Sequence, residues 1–445
     1  MFIRHKTNSE NKKLLIRLAN EGIISVTPKN SFEKYIKIRN KKLCIGKDSF
    51  PIADRRIFVI GGGKASAHMA YALENILGRG RIIDGLVVAP HKDIIPRVIK
   101  VHIGDHPFPT ERSVQGVKKI FALKDKYNLT KDDLIIGLIS GGGSSLLSYP
   151  KDEITLSDKH MLYKIFRKYG IPDFETAVIK TKLSQVKGGG MGAYFYPTPI
   201  ISIIISDDNG ESGHEKTAAG PFTPHMATFR DSLSILERYG ALQEVPPRVL
   251  SYIKNNLEEE ESMPPASHIN QYVIAKNEDA LFVIEKSAKK NGVTTKTFPY
   301  MKGDVQKTAQ DIFKKIISEK RKNKKTLYIY GGETTVSLSN GSGRGGRAQE
   351  FVLSIVNEII KYNPLFSITV LAVGTDGVDY LKESAGGIFE WSGGNKNILK
   401  AKQKLGEYLK THSSFHALKM LNSHITIGHT GTNVGDIVLL YIVEK

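Results

Sequence analysis

Arg55-Arg56-Ile57-Phe58-Val59-Ile60-Gly61-Gly62-Gly63-Lys64-Ala65-Ser66 (residues 55–66) is the stretch that decides the fold. An apolar run ends in glycines and a lysine, and a helical pattern follows. Met69, Ala72, Leu73, Ile76 and Leu77 fall at i, i+3, i+4, i+7 and i+8. The same sequence of strand and loop recurs along the chain. Residues 132–139 open onto Ser140-Gly141-Gly142-Gly143-Ser144-Ser145, and residues 200–205 onto Ser206-Asp207. Residues 326–330 open onto Gly331-Gly332-Glu333-Thr334-Thr335, and residues 367–373 onto Gly374-Thr375-Asp376-Gly377. Strands alternating with helices predict βαβ units and a parallel sheet. In open α/β sheets, ligands bind just outside the carboxyl ends of the strands. Glycine lets backbone N–H groups approach an anion closely, and Lys64 adds charge. The pattern points to phosphate chemistry.

The chain has 445 residues, which predicts two or three domains. Its hydrophobic content of 40% supports buried cores and argues against disorder. The net charge is +19, from 64 Lys and Arg against 45 Asp and Glu. Nucleic-acid binding would call for a dense basic stripe with interleaved aromatics. Here the lysines are scattered, with local clusters at 34–42 and 314–325, which favours anionic small molecules over nucleic acid. Cys44 is the only cysteine, so an intrachain disulfide and a cysteine-rich metal site are excluded; a reducing, cytoplasmic setting is expected. Beside Leu43 and Ile45 it reads as a small apolar filler. The N-terminal residues form no apolar leader region, and the apolar run 200–205 is far shorter than a bilayer span, so no membrane association is expected. The oligomeric state is expected to be monomer or homodimer.

Working outward, helices are predicted at 9–22, 65–77 and 113–127, and strands at 85–88 and 98–103. An acidic run at 258–261 and the double proline Pro264-Pro265 read as a linker. Beyond it, strands at 271–275 and 293–298 and helices at 277–291 and 304–321 restart the alternation. Two domains are therefore expected, 1–264 and 265–445. The first is a Rossmann-like parallel sheet with helices on both faces, and the second is another α/β domain.

Two phosphate-binding fingerprints can be tested directly. The dinucleotide pattern starting at Gly61 needs glycine at 66, where Ser66 stands. The P-loop pattern needs glycine where Phe58 stands and a hydroxyl where Ala65 stands, so it fails. Taken alone, Gly61–Lys64 reads as a tight turn with a surface lysine. Ser140–Ser145 reads either as a helix cap or as an anion cradle of consecutive N–H groups with two hydroxyls. Lys187-Gly188-Gly189-Gly190 is a third glycine run with a cation, which makes the bland reading harder to sustain for all three. Asp207, Glu333 and Asp376 supply hard oxygen ligands of the kind Mg²⁺ takes, usually one or two carboxylates plus substrate phosphates. Each also reads as a turn residue, the favoured reading for Asp208 and Asp379. Gly341-Ser342-Gly343-Arg344-Gly345-Gly346-Arg347 offers flexible backbone with two guanidinium groups suited to bidentate recognition of carboxylate or phosphate, or else a solvated surface loop. The histidines show no ligand spacing.

At this point the motifs resemble one family, the class II (MOFRL-type) glycerate kinases, also called glycerate 2-kinases. The matching segments in the first half are Gly63-Lys64-Ala65, Gly104-Asp105-His106-Pro107-Phe108-Pro109, Ser140–Leu147, Lys182–Gly189, Ser206-Asp207 and Ala219-Gly220-Pro221. In the second half they are Gly331–Val336, Gly343–Glu350, Gly374–Gly377 and Gly431-Thr432-Asn433-Val434. They span residues 63–434 in the family's order. The resemblance implies ATP-dependent phosphorylation of D-glycerate to 2-phosphoglycerate with Mg²⁺ or another divalent cation. It also implies two α/β domains with the active site in the cleft between them. Lys64 and Arg347 match family positions essential for activity. The chain departs from the family pattern at the inserted Asp105, at Asp208-Asn209-Gly210-Glu211, at Glu383-Ser384-Ala385-Gly386 and at Gly435 before Asp436.

The expected mechanism is direct phosphoryl transfer, which needs positioning and charge neutralisation. Gly141, Gly142, Gly143, Ser144, Ser145, Lys187, Gly188 and Gly189 are expected to hold nucleotide phosphates. Lys64 and Arg347 are expected to neutralise the transferring group, or one of them to grip the glycerate carboxylate. Asp207 is the candidate base, with Asp207, Glu333 and Asp376 on the metal side. The rivals are a nucleotide-dependent dehydrogenase of a small hydroxy acid using residues 61–66, and a basic nucleic-acid-binding protein.

Overall fold

A computed structural model describes residues 2–444 except 79, 209–212, 259–265, 320–323, 338–342 and 394–395. Its strands are β1 (Ile36–Arg39), β2 (Lys42–Ile45), β3 (Asp48–Pro51), β4 (Ile57–Gly62), β5 (Ile82–Ala89), β6 (Lys100–Ile103), β7 (Leu134–Ser140) and β8 (Ile200–Ile205). They continue with β9 (Ile269–Ala275), β10 (Thr294–Met301), β11 (Lys325–Gly332), β12 (Ser367–Gly374), β13 (Gly386–Trp391), β14 (His424–Ile425) and β15 (Asp436–Val443). The chain falls into two compact units. One holds Ser31–Ser206 and Ser212–Ile274; the other holds Met1–Asn30, Asp207–Glu211 and Ala275–Lys445.

This division differs from a single cut near residue 265. The helix Glu10–Ser25, started by the Ser9 hydroxyl accepting from the Lys12 N–H, packs on the helix Asn277–Lys290. Gly22 makes the approach possible: a Cβ there would lie 2.7 Å from Ile284 Cδ1. The first 30 residues therefore share the core of the later half. The acidic run and double proline expected as a linker lie mostly outside the described residues.

In the unit built on Ser31–Ser206, the sheet order is β6-β5-β4-β7-β8-β9. β4 pairs in parallel with β5 and β7, β5 with β6, and β7 with β8. β4, β7 and β8 are buried along their whole length, as uninterrupted apolar runs in central parallel strands must be. Their side chains Phe58, Ile60, Ile135, Ile139, Ile200 and Ile204 form one core with Val88, Val117 and Phe222. The helices Ser66–Leu77 and Glu111–Tyr127 make the crossovers, as expected. Two features had no sequence expectation. One is the antiparallel β1-β2-β3 sheet. The other is a set of helices, Leu156–Lys168, Asp173–Lys182, Phe229–Arg238 and Pro247–Asn255, with its own core of Leu162, Ile165, Phe166, Ile179, Phe229, Leu236, Val249 and Ile253.

Gly61 carries a close strand approach. Its φ is +151°, and a Cβ would stand 2.0 Å from the Leu138 carbonyl oxygen on β7. Neither backbone can yield without breaking the central pairing. Gly61→Ala is therefore expected to destabilise the protein by on the order of 3 kcal/mol, measured by denaturant unfolding.

In the other unit the order is β10-β11-β15-β12-β13-β14. β10 and β11 are parallel, while β15 lies antiparallel between β11 and β12. This mixed sheet is not the all-parallel arrangement that strand–helix alternation suggests: β15 is inserted antiparallel between β11 and β12, and β13 and β14 follow β12 in antiparallel succession. The helix Arg347–Tyr362 buries Phe351, Ile355, Val356 and Ile359 against Val370, Ala372, Phe389 and Val438. No helix among the described residues is long and apolar enough to cross a membrane.

Candidate active site

The unit containing β4 changes winding direction between β4 and β7: β5 lies on one side of β4 and β7 on the other. A crevice at such a switch point is the usual ligand position in open α/β sheets. The loops that leave β4 and β7 there are tied to each other. The Lys64 N–H donates to the Gly141 carbonyl (2.8 Å), and the Ala65 N–H to the Ser140 hydroxyl (3.0 Å). Ser66 is fully buried, and its hydroxyl bonds the carbonyls of Gly63 (2.8 Å) and Val88 (3.1 Å). The serine that broke the dinucleotide fingerprint thus ties helix to strand.

Glycine at 142 and 143 is a matter of room. Gly142 has φ +79°, and a Cβ there would meet Lys64 Cγ at 3.0 Å and the His106 ring at 3.1 Å. A Cβ at Gly143 would stand 2.6 Å from Ala218 Cβ. The loop therefore brings Lys64, His106, Ser144 and Ser145 together. The Ser145 hydroxyl donates to the Pro107 carbonyl. Lys187 is buried, and its Nζ donates to the Ser144 carbonyl (2.7 Å) and hydroxyl (2.6 Å). The Gly188 and Gly189 N–H groups, expected to cradle phosphate, are spent on the carbonyls of Ala219 (3.0 Å) and Gly220 (2.8 Å). That glycine run fixes a chain crossing, and Lys187 braces the Ser144 loop from behind.

The second unit assembles its own polar cluster. β11 and β12 run parallel, with β15 reversed between them, so Gly332 and Gly374 both pair with Asp436. The carboxyl ends of two strands and the amino end of a third meet at one edge. Glu333 and Asp376 leave from the first two, and Asn433 precedes the third. Arg347 begins the helix Arg347–Tyr362. Its guanidinium grips Asp436 through Nε (2.6 Å) and Nη2 (3.1 Å), and Glu333 through Nη1 (3.1 Å) and Nη2 (2.7 Å). Bidentate pairs of this kind are among the strongest charge-assisted contacts. Arg347 is thus engaged by two carboxylates, and Glu333, expected on the metal side, has both oxygens on Arg347.

Asp379, read from sequence as a turn residue, also caps that helix. It accepts from the N–H groups of Ala348 (3.1 Å) and Gln349 (2.8 Å) and from Gln349 Nε2 (2.9 Å). The Asp207 carboxylate accepts from Asn433 Nδ2 (2.8 Å), and Asp376 Oδ1 accepts from the Val378 N–H (3.0 Å). Asp436 and Asn433 were missed as site residues. Their signal was the apolar run 437–442: a strand that starts at Asp436 presents its first residue to an edge, whichever way it runs. Asn277 was missed too. Its Nδ2 donates to the carbonyls of Val434 (2.8 Å) and Asp436 (3.0 Å) and so sets the Gly435 turn between them.

Burial pushes the Asp436 carboxyl up to about 7 against the pull of Arg347, with Glu333 and Asp379 adding to the rise. Arg347 is held well above its ordinary range by Asp436 and Glu333, despite burial. The linkage has a definite sign. A carboxyl raised in the fold from 3.8 costs nothing below that value, and its cost grows until pH passes about 7. The Asp436→Asn variant should therefore gain in melting temperature relative to wild type as pH rises from 5 to 7, with the difference levelling above. A pH-independent difference would contradict this.

Among the described residues, no group of three or more His, Cys, Asp and Glu could hold a metal ion. The carboxylates at this edge nevertheless have the hard oxygen chemistry of Mg²⁺, which often takes one or two protein carboxylates and completes its shell with water and phosphate oxygens. The residues fit a cation shared with a phosphorylated substrate and do not form an all-protein cage.

Two family models match the chain: a domain of unknown function (DUF4147) over residues 14–254, and the MOFRL family over residues 326–436. The chain is 30% identical over 445 residues to glycerate 2-kinase of Pyrococcus horikoshii, covering 98% of each. It is 32% identical over 403 residues to an Agrobacterium vitis chain provisionally named a hydroxypyruvate reductase, covering 87% of this chain and 99% of that one. Among solved structures it resembles glycerate kinase of Thermotoga maritima, with TM-score 0.78 and 28% identity, covering 97% of this chain and 99% of the other. With a matching first-half model, a matching second-half model and relatives of equal length, the chain belongs to the MOFRL-type glycerate kinase family.

Proposed function

We propose that this protein transfers the γ-phosphoryl group of ATP to the 2-hydroxyl of D-glycerate, giving 2-phosphoglycerate and ADP. The observation that carries the reading is the end-to-end match to a glycerate 2-kinase. The geometry of each unit supports it. Lys64 stands at the switch point beside Gly141–Gly143, where a cation and a glycine loop suit phosphate oxygens. Ser144 and Ser145 stay in this phosphate-side role, while Lys187, Gly188 and Gly189 act by holding the loop. Asp207, oriented by Asn433, takes the proton of the glycerate hydroxyl. Asp207 and Asp376 are the carboxylates that would hold Mg²⁺, which supplies charge neutralisation on the phosphates when bound. Arg347 orders Glu333 and Asp436 into one fixed electrostatic unit, and with both acids ionised that unit carries a net charge of about −1, favourable to a nearby cation. The single free Cys44 accords with a cytoplasmic enzyme.

The test is ADP release that depends on D-glycerate, measured with ATP and Mg²⁺. NADH oxidation on hydroxypyruvate with no glycerate-dependent ADP release would replace this reading with the reductase one.

A further inference from the structure

β15 begins at Asp436, so the residues just before it lie outside the ladder and their backbone polar groups need partners elsewhere. Asn433-Val434-Gly435-Asp436 is that stretch. Its two end side chains serve the candidate site. Asn433 Nδ2 donates to Asp207 Oδ2 (2.8 Å), and the Asp436 carboxylate takes the Arg347 guanidinium. Its backbone is held by side chains from two other segments. The Thr375 hydroxyl, in the loop leaving β12, accepts from the Val434 N–H (2.9 Å) and donates to the Gly435 carbonyl (2.6 Å). The Thr375 N–H donates to the same carbonyl (3.1 Å). From the other side Asn277, the first residue of the helix Asn277–Lys290, donates from Nδ2 to the carbonyls of Val434 (2.8 Å) and Asp436 (3.0 Å).

Both clamping side chains are buried, and both act through polar atoms rather than bulk. The Thr375 hydroxyl donates and accepts on the turn at once, which valine of the same shape could not do. Asn277 Oδ1 lies against Gly331, where a Cβ would stand 1.7 Å from it, and it has no hydrogen-bond partner among the described residues. A buried acceptor left unpaired is a cost. The two bonds from Nδ2 to the turn are what offsets it. Within the turn Gly435 has φ +85°, a left-handed conformation open to glycine, so the backbone is free to rotate there unless its neighbours are held.

We propose that Thr375 and Asn277 are positioning residues for phosphoryl transfer: together they fix the Asn433–Asp436 turn, and through Asn433 they place the Asp207 carboxylate relative to the Arg347 unit. The proposal rests on the reading of Asp207 as the base that takes the glycerate proton. A base must meet that proton at hydrogen-bond distance. A displacement of about 1 Å, even one caused far from the chemistry, costs about 10²-fold in rate. Thr375 also precedes Asp376, so one residue ties the loop that carries a carboxylate for Mg²⁺ to the turn that orients the base.

Steady-state kinetics of the full chain with ATP, Mg²⁺ and D-glycerate, well below the melting temperature, separate this role from packing. Thr375→Val keeps the shape and removes the hydroxyl; kcat should fall by about 10- to 100-fold, with each KM within about twofold of wild type. Thr375→Ser keeps the hydroxyl and loses only the methyl, and should recover kcat to within about threefold of wild type. In an Asn433→Ala background Thr375→Val should cost less than about threefold, because the link it acts through is already cut. A wild-type kcat in Thr375→Val, whatever its melting temperature, overturns the proposal. So does a Thr375→Ser as slow as Thr375→Val, or a full Thr375→Val loss in the Asn433→Ala background. Should Thr375→Val fail to fold, Asn277→Ala decides on the same kcat, KM and Asn433→Ala terms. A wild type without glycerate-dependent ADP release overturns the kinase reading and this proposal with it; an active wild type beside an unaffected Thr375→Val overturns this proposal alone.

Discussion

Arg347→Ala is expected to lower kcat by about 10²–10³ and to destabilise the fold in the same stroke. The two effects have one origin. Arg347 is the guanidinium between Glu333 and Asp436, and Asp436 is 3% exposed. Removing the cation leaves a buried carboxylate without its partner, a loss of about 3–5 kcal/mol in comparable cases. The penalty depends on pH. With Arg347 in place burial already raises the Asp436 carboxyl to about 7, and without that cation it takes a proton more readily still, so the loss of stability should be smaller at pH 5.5 than at pH 8. Arg347→Lys separates the roles. A single ammonium keeps a charge near the carboxylates but cannot make both bidentate pairs, so stability should recover more than kcat. A wild-type kcat in Arg347→Ala would remove this residue from the chemistry.

Lys64→Ala is expected to cost as much activity and almost no stability. The Lys64 N–H on Gly141 belongs to the backbone, while the side chain lies beside Gly142 through Cγ. Alanine keeps that backbone. The lost group is a cation at the switch point, and removal of one electrostatic stabiliser typically costs about 10²–10³ in kcat, about 2.7–4 kcal/mol of transition-state energy. The melting temperature should stay within a few degrees of wild type. A fall in kcat with little change in KM would mark an interaction made in the transition state; a rise in KM alone would mark ground-state binding. The contrast between a stable, inactive Lys64→Ala and an unstable, inactive Arg347→Ala follows from the pairing of Arg347 with the buried Asp436 carboxylate.

How much of this was legible in the sequence depends on which physics each residue obeys. The central strands were readable because β4, β7 and β8 are apolar without interruption, and the glycines that follow them marked the loops. The helices Leu156–Lys168 and Phe229–Arg238 went unread, although the Thr155–Asp158 and Thr228–Asp231 capping boxes announce both starts. Phe229–Arg238 even carries a strong apolar stripe through Phe229, Ile235 and Leu236, so for that helix the signal was present in the sequence. The N-terminal helix was legible as a helix, but its partner was not: Gly22 meets Ile284 across more than 260 residues, and sequence spacing carries no such information. Lys64, Asp207, Glu333, Asp376 and Arg347 were singled out because they are polar groups on loops at strand ends or helix starts, where the structure has them. Their partners were another matter. Asn433 precedes, and Asp436 begins, a strand that runs against its neighbours, so both reach this edge from an amino end rather than a carboxyl end. Gly188 and Gly189 looked like a phosphate cradle because glycine runs are ambiguous: close packing of Ala219 and Gly220 demands the same residues as anion binding.

The central claim is that the hydroxyl phosphorylated is the one on carbon 2 of D-glycerate, with ATP as donor. It is tested most directly by incubating the purified protein with ATP, Mg²⁺ and D-glycerate and identifying the product by ³¹P and ¹³C NMR. The expected result is 2-phosphoglycerate, with ADP in equal amount. A product phosphorylated on carbon 3, or no phosphoglycerate at all, would contradict the account.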